Sequence, residues 1–195
     1  MTPDWTICPF RPGRKTGGDP GLGRTADEIR GEGRQNMGVD TVTFFMGSPI
    51  WKMWYSFPQT SEEQIEAGYQ RIKELWSPIM DVYDEYGVKL ALEVHPTEIA
   101  YDYWSTKRLL ETFDYRPTLG INFDPSHLVW QGLDPQMFLL DFADRIYHVH
   151  VKDVKLNLNG RNGILGSHIT FGDQRRGWNF VSPGHGNVDS TTSSG

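Results

Sequence analysis

Three segments of this sequence end an apolar run in a side chain that can bind a cation or move a proton. Residues 118–123 read as a strand walled in on both faces, and Pro125 removes a backbone donor. The ladder therefore stops with Asp124 at the strand's carboxyl end. Residues 88–94 carry Glu93 at the same position, and residues 146–152 carry the row His148, His150 and Lys152. In α/β proteins the carboxyl ends of parallel strands are where ligands bind. Glu93, Asp124 and His150 thus meet at one rim, and a mixed carboxylate and imidazole set suits a divalent cation. The plainer alternative is that each acid caps the following helix and each histidine is a satisfied core group. One such residue would favour that account; three on adjacent strands favour the metal.

Other residues surround this set. His127 is a candidate fourth ligand or substrate donor, and His95 a candidate base or a partner of the ligands, against simple packing beside Pro96. Within the row 148–152 the terminal position favours His150 as the ligand and makes His148 the interior residue. Trp178 and the pair Arg175-Arg176 could meet a sugar or an anion, although exposed arginine pairs are usually only solvated. Gly184-His185-Gly186 is a glycine-flanked turn that brings His185 near the rim. There is no glycine-rich phosphate fingerprint before a helix and no Gly-x-Ser-x-Gly elbow to activate Ser126.

The elements that must position these residues alternate. Residues 39–45 read as a first strand, after a weakly helical stretch over 25–37. A long loop with Trp51, Trp54, Tyr55 and Phe57 follows over 46–60. Residues 61–86 are the best helix: Ser61 and Gln64 make a capping box, and Glu62 and Glu63 complement the positive helix end. Ile65, Tyr69, Ile72, Trp76, Ile79 and Tyr83 share one apolar stripe. Pro78 should bend this helix, and Gly87 caps it. A helix over 103–113 precedes the strand 118–123. A helix begun by Asp134-Pro135 and running to about residue 144 precedes the strand 146–152. Residues 157–189 read as loop. Alternating strands and helices imply a parallel sheet with right-handed connections. Four strands are about half of a (β/α)8 barrel, which takes ~250 residues. The expected organisation is an irregular segment over 1–20, a partial barrel domain over 21–189 and a disordered tail over 190–195.

The 195 residues, with a formal net charge of -6 and a single cysteine, Cys8, exclude an internal disulfide and a thiolate metal cluster. The acidic balance argues against a nucleic-acid partner. No apolar run is long enough to cross a membrane and no signal peptide is evident, so a cytoplasmic setting is expected. Seven tryptophans suit either a pocket for a ring-shaped ligand or ordinary core packing.

Beyond these single residues, the blocks LEVHPTEIAYDYW, INFDPSHLVWQGLDP, DRIYHVHVKD, RNGILGSH, RRGW and FVSPGHG occur in order. In them the chain resembles the sugar phosphate isomerase/epimerase family of the xylose isomerase-like TIM barrel superfamily. The resemblance implies a partial TIM barrel of about four parallel strands and one catalytic divalent metal, manganese first, with magnesium, cobalt or zinc as alternatives. It implies Glu93, Asp124 and His150 as three of four metal ligands, and Glu93, His95 and His127 as catalytic residues. His127, Lys152, Trp178 and His185 would contact a small carbohydrate substrate. In epimerases of this kind two metal-bound glutamates move a proton beside a carbonyl; Glu93 resembles one of them, and the other has no counterpart here.

The chain leaves the family's pattern at Asp189 and lacks its opening strands, so it reads as a fragment with little or no epimerase activity. Its open edges would favour homo-oligomers. Three alternatives stand beside the isomerase: a lyase or dehydratase on oxidised sugars or keto-glycosides with His95 as base, a phosphodiesterase on damaged DNA, and a degenerate half-barrel without catalysis. The phosphodiesterase is disfavoured, because Trp178, Asn179 and Phe180 stand where its extra metal ligands should lie.

Overall fold

A computed structural model describes residues 38–50, 59–165 and 170–189. The helix expected over 25–37, the aromatic part of the loop at 51–58, the N-terminal segment and the tail lie outside the described residues. Strand β1 (Thr41–Phe44) is followed by helix α1 (Glu62–Glu85), β2 (Lys89–Glu93), α2 (Tyr103–Thr112) and β3 (Leu119–Phe123). Then come a short helix α3 (Pro125–Val129), α4 (Pro135–Phe142), a 3-10 turn (Ala143–Arg145) and β4 (Ile146–Val149). β5 (Asp153–Leu156) and β6 (Trp178–Val181) complete the order. Strands β1 to β4 lie in sequence order, all parallel, and curl as half a barrel with helices on the outside.

Local chemistry explains where these elements start and stop. Ser61 Oγ accepts from the Gln64 N–H at 3.3 Å, and Gln64 Oε1 accepts from the Ser61 N–H at 3.0 Å, so both orphan donors are satisfied. The helix runs through Pro78 without a break and ends at Gly87, whose φ of 64° only glycine adopts cheaply. There the Gly87 N–H reaches Asp84 O and the Val88 N–H reaches Tyr83 O, both at 3.0 Å, which closes the last turn. Asp102 caps α2 through Ser105, and Asp134 caps α4 with Pro135 in the first position.

The sheet's outer face buries Leu90, Leu92, Ile121 and Phe123 against Tyr69, Trp76, Met80, Leu109 and Phe138 of the helices. β3 is buried at every residue, as its continuous apolar run predicts. β4 departs from simple pairing: Ile121 pairs with Ile146, but Asn122 pairs with His148, so Tyr147 is an extra residue. Its ring lies over Gly120, where a Cβ would come within 2.2 Å of it, and its hydroxyl donates to Pro117 O at 2.8 Å.

The structure differs from expectation in three places. The strand expected over 146–152 ends at Val149, and its continuation turns into β5. The stretch 157–189 is not all loop: β6 pairs antiparallel with β5, so the parallel rule holds for β1–β4 and not for this hairpin. A second buried cluster of Trp130, Val154 and Trp178 packs the hairpin against α3. Finally, His148 is exposed and not interior, because among the described residues no strand lies beyond β4.

Candidate metal centre

Glu93 ends β2, Asp124 follows β3 directly, and His150 follows β4, held by its N–H to Phe123 O at 2.8 Å. The three reach the same end of the sheet because parallel strands in register stop at the same level. Glu93 Oε2 is 3.2 Å from His150 Nδ1, and Glu93 Oε1 is 3.4 Å from His127 Nε2.

Asp124 divides its work between its two oxygens. Oδ1 accepts from the Ser126 N–H at 3.0 Å and from the Ser126 hydroxyl at 2.5 Å, capping α3. Capping and site chemistry are therefore not alternatives here. Oδ2 is fully buried and has no hydrogen bond of acceptable alignment. It faces Lys152 Nζ at 2.8 Å, His127 Nε2 at 3.5 Å and His150 Nδ1 at 3.9 Å. The lysine contact is an ion pair by distance without the angles of a hydrogen bond, so this oxygen still lacks an aligned partner.

The donor set fits a metal ion. Glu93, Asp124 and His127 each offer a ligand atom within 4.8 Å of the others, and His150 approaches both carboxylates from the open side. Two carboxylates, one of them with an orphaned buried oxygen, and an imidazole are what a hard or borderline divalent cation takes. Burial alone would raise the Glu93 carboxyl, but the hydrogen bond from His127 and the nearby His150 and Lys152 outweigh it. Together they hold the carboxyl at about 2. Glu93 is thus held as an anion, as a ligand must be.

His95 and His127 meet edge to face with ring centroids 4.2 Å apart. Burial lowers the His95 imidazole, with His127 acting in the same direction, so its neutral form is favoured; its Nδ1 lies 2.5 Å from Pro96 O. The turn that carries it is tight: the Glu98 N–H bonds to His95 O at 3.0 Å, and Thr97 has a φ of 83°. That is the geometry of a type II turn, and a β-branched residue is strained at this position. Glu98 is buried and pins the turn to the end of β1 by accepting the Gly47 N–H at 2.5 Å.

A cavity of about 500 Å³ opens over these groups, with Glu93, His95, His127, His150 and Lys152 in its wall and Phe45 and Phe180 at its sides. Lys152 Nζ sits 4.4 Å from the centre of the Phe180 ring. Trp178 does not line the cavity: it is buried, stacked on Trp130 at 4.6 Å, with its indole N–H on Ile164 O at 3.1 Å. His185 is exposed in its turn and also outside the wall. Arg175 pairs with Asp173, and Arg176 is buried over Phe171 and Trp178, so neither faces the cavity.

Sequence reasoning passed over Asn122, Phe45, Phe180 and Trp130. Asn122 is fully buried on the inner face of β3. Its Oδ1 lies 3.0 Å from His148 Nδ1, and its Nδ2 lies 3.2 and 3.3 Å from the two nitrogens of His150. The available signal was an amide in an otherwise apolar strand, two residues before Asp124 and hence on the same face.

Comparison with known proteins agrees with the fold. The uncharacterized protein YfiH of Bacillus subtilis (strain 168) is 34% identical over 114 residues, 57% of this chain and 36% of that protein. The inosose dehydratase of Clostridium botulinum (strain Alaska E43 / Type E3) is 24% identical over 144 residues, 74% of this chain and 45% of that protein. The matched stretch spans less than half the length of either relative. Among solved structures, the IOLI protein with a bound zinc atom superposes with a TM-score of 0.56 at 20% identity, over 84% of this chain and 51% of that one. The family description "Xylose isomerase-like TIM barrel" matches residues 34–192, and the chain belongs to that family.

Proposed function

We propose that the protein holds a divalent metal ion through Glu93, Asp124 and His150 and acts on a sugar or sugar derivative, moving a proton beside its carbonyl as an isomerase or epimerase. The observation that carries the reading is the orphaned, buried Oδ2 of Asp124, set among Glu93, the two histidines and Lys152, which line the cavity. The zinc in IOLI supports a divalent ion. Manganese is the first ion to test, followed by magnesium, cobalt and zinc. When bound, such an ion supplies Lewis acidity toward a carbonyl oxygen.

The chain's own residues supply the rest. Glu93 and Asp124 provide fixed negative charge, and Asn122 holds the His150 ring. His127 and Lys152 place donors where substrate oxygens would lie, and His95 stands beside His127 as an acceptor. Phe45 and Phe180 offer apolar walls to a sugar ring.

A dehydratase reading is the second candidate. The name of the inosose dehydratase relative favours it, as does the scarcity of carboxylates in the cavity wall, where Glu93 stands with histidines and a lysine. The two readings share the proton abstraction and differ in what leaves. Incubation with a panel of ketoses and inososes in deuterated water with Mn²⁺ tests both. Deuterium uptake with conserved mass supports the isomerase, and loss of water supports the dehydratase. Absence of exchange, or exchange that survives Asp124→Asn, would refute the site.

A further inference from the structure

His127 can meet a metal through its Nε2 only if that nitrogen carries no proton, and the residues behind the ring decide this. The indole N–H of Trp130 donates to His127 Nδ1 at 3.4 Å, inside the protein. An indole nitrogen is a donor only, so the imidazole nitrogen facing it must be the acceptor. In a neutral ring the proton then sits on Nε2, which faces Glu93 Oε1 at 3.4 Å and Asp124 Oδ2 at 3.5 Å, both acceptors. The Trp130 ring has little freedom to choose otherwise. It is buried, and it stacks on Trp178 at 4.6 Å with the planes 7° apart, while Trp178 is anchored by its own N–H on Ile164 O. One contact pulls the other way: Lys152 Nζ lies 3.2 Å from the same Nε2. An ammonium group turns about its own axis and has Asp124 Oδ2 nearer, at 2.8 Å, whereas the indole N–H has one fixed direction.

We infer that Trp130 is a positioning residue that keeps His127 protonated on Nε2, so that His127 faces the cavity as a hydrogen-bond donor and leaves the imidazole ligand position to His150. The inference rests on the metal-site reading above. It gives the stack of Trp130, at the end of α3, on Trp178 of the β5–β6 hairpin a task, which is to set the state of a site side chain from behind.

Long-range nitrogen–proton correlation spectra of the metal-free chain, with histidine labelled at its ring nitrogens, read the tautomer directly. The expected result is an Nε2-protonated His127 in the parent, moving toward the Nδ1-protonated form in Trp130→Phe, which keeps the stack and loses the donor. Calorimetric titration with Mn²⁺ is the second arm. His127→Gln should stay within about fivefold of the parent, the worth of one ordinary hydrogen bond. His150→Gln should lose on the order of tenfold or more. An Nδ1-protonated His127 in the parent, or equal losses in the two glutamine variants, would overturn the inference. A parent that binds no Mn²⁺ would instead refute the metal reading, while the parent's tautomer still decides the role of Trp130. If Trp130→Phe does not fold, the parent spectrum and the glutamine pair decide the question without it.

Discussion

Lys152 Nζ stands 2.8 Å from the buried Oδ2 of Asp124, where a cation would be welcome, so the ammonium neutralises part of the site's charge. A divalent ion must push it aside. Lys152→Met should therefore tighten Mn²⁺ binding about fivefold, the scale of a screened like-charge repulsion of ~1 kcal/mol. The same change should lower the metal-free stability by about 1–2 kcal/mol, because it leaves a buried carboxylate without its counter-ion, and the lysine's partial exposure keeps the loss below that of a fully buried pair. Titration calorimetry and thermal melts in chelator check the two opposite signs. Weaker binding in the variant would make Lys152 a supporter of the metal and not its competitor.

Asn122 touches both His148 and His150 from the inner face of β3. Partners that orient a ligand typically carry about 10–100-fold in affinity. Asn122→Leu should thus weaken Mn²⁺ binding by at least about tenfold. Folding stability should change by under ~1 kcal/mol, since a buried amide is replaced by an apolar group of similar shape and His148 can turn to solvent. A large stability loss with unchanged affinity would assign Asn122 to the core alone.

Asp153 gathers four backbone N–H groups, those of Val154 at 2.8 Å, Gly184 at 3.0 Å, Gly186 at 2.7 Å and Val188 at 3.0 Å. Burial by itself would raise this carboxyl, but the four donors hold it below the usual range. The native pKa is depressed, so the stabilisation is fully present above the unfolded value of ~3.9 and is lost as pH falls through the native one. Asp153→Asn, whose amide must turn N–H toward N–H, should cost about 2–4 kcal/mol at neutral pH and should remove this part of the acid limb. Urea unfolding between neutral pH and pH 3 in both proteins measures it. Parallel acid limbs would show that Asp153 does not contribute.

Gly120 has no room for a side chain: a Cβ would lie 2.2 Å from Tyr147 Cδ2 and 2.6 Å from Arg145 O. Gly120→Ala should destabilise the chain by about 1–3 kcal/mol through overpacking. Adding Tyr147→Ala removes the ring but not the carbonyl, so rescue should be partial. Full rescue in a denaturant series would mean that the backbone contact yields more easily than its distance implies.

Much of the frame could be read from local chemistry. Ser61 with Gln64, Gly87, and Asp134-Pro135 announce their helix ends because each motif satisfies backbone groups a few residues away. β2 and β3 are legible because strands buried on both faces are continuously apolar, and Glu93 and Asp124 because they interrupt that run at its end. β6 was illegible for the converse reason. Its four residues pair with β5 beside the turn from Gly184 to Val188, which Asp153 holds from 31 to 35 residues away. Without that hairpin, Trp178 looks like a residue for a ligand, when its indole is committed to Trp130 and Ile164. Asn122 was hidden in the same way: its meaning lies in His150, 28 residues further on.

The extra residue in β4 separates two properties that strand geometry normally ties together. Side chains alternate along a strand, so gaining or losing one residue ordinarily turns everything downstream to the opposite face. Here Ile146 and His148 pair with the consecutive residues Ile121 and Asn122, and Tyr147 is left out of the count. A chain one residue shorter at Tyr147 would keep His148 and His150 facing as they do now and would lose only the ring that covers Gly120. Length variation at this position can therefore reshape the floor of the half-barrel while the chemistry at its rim stays in phase.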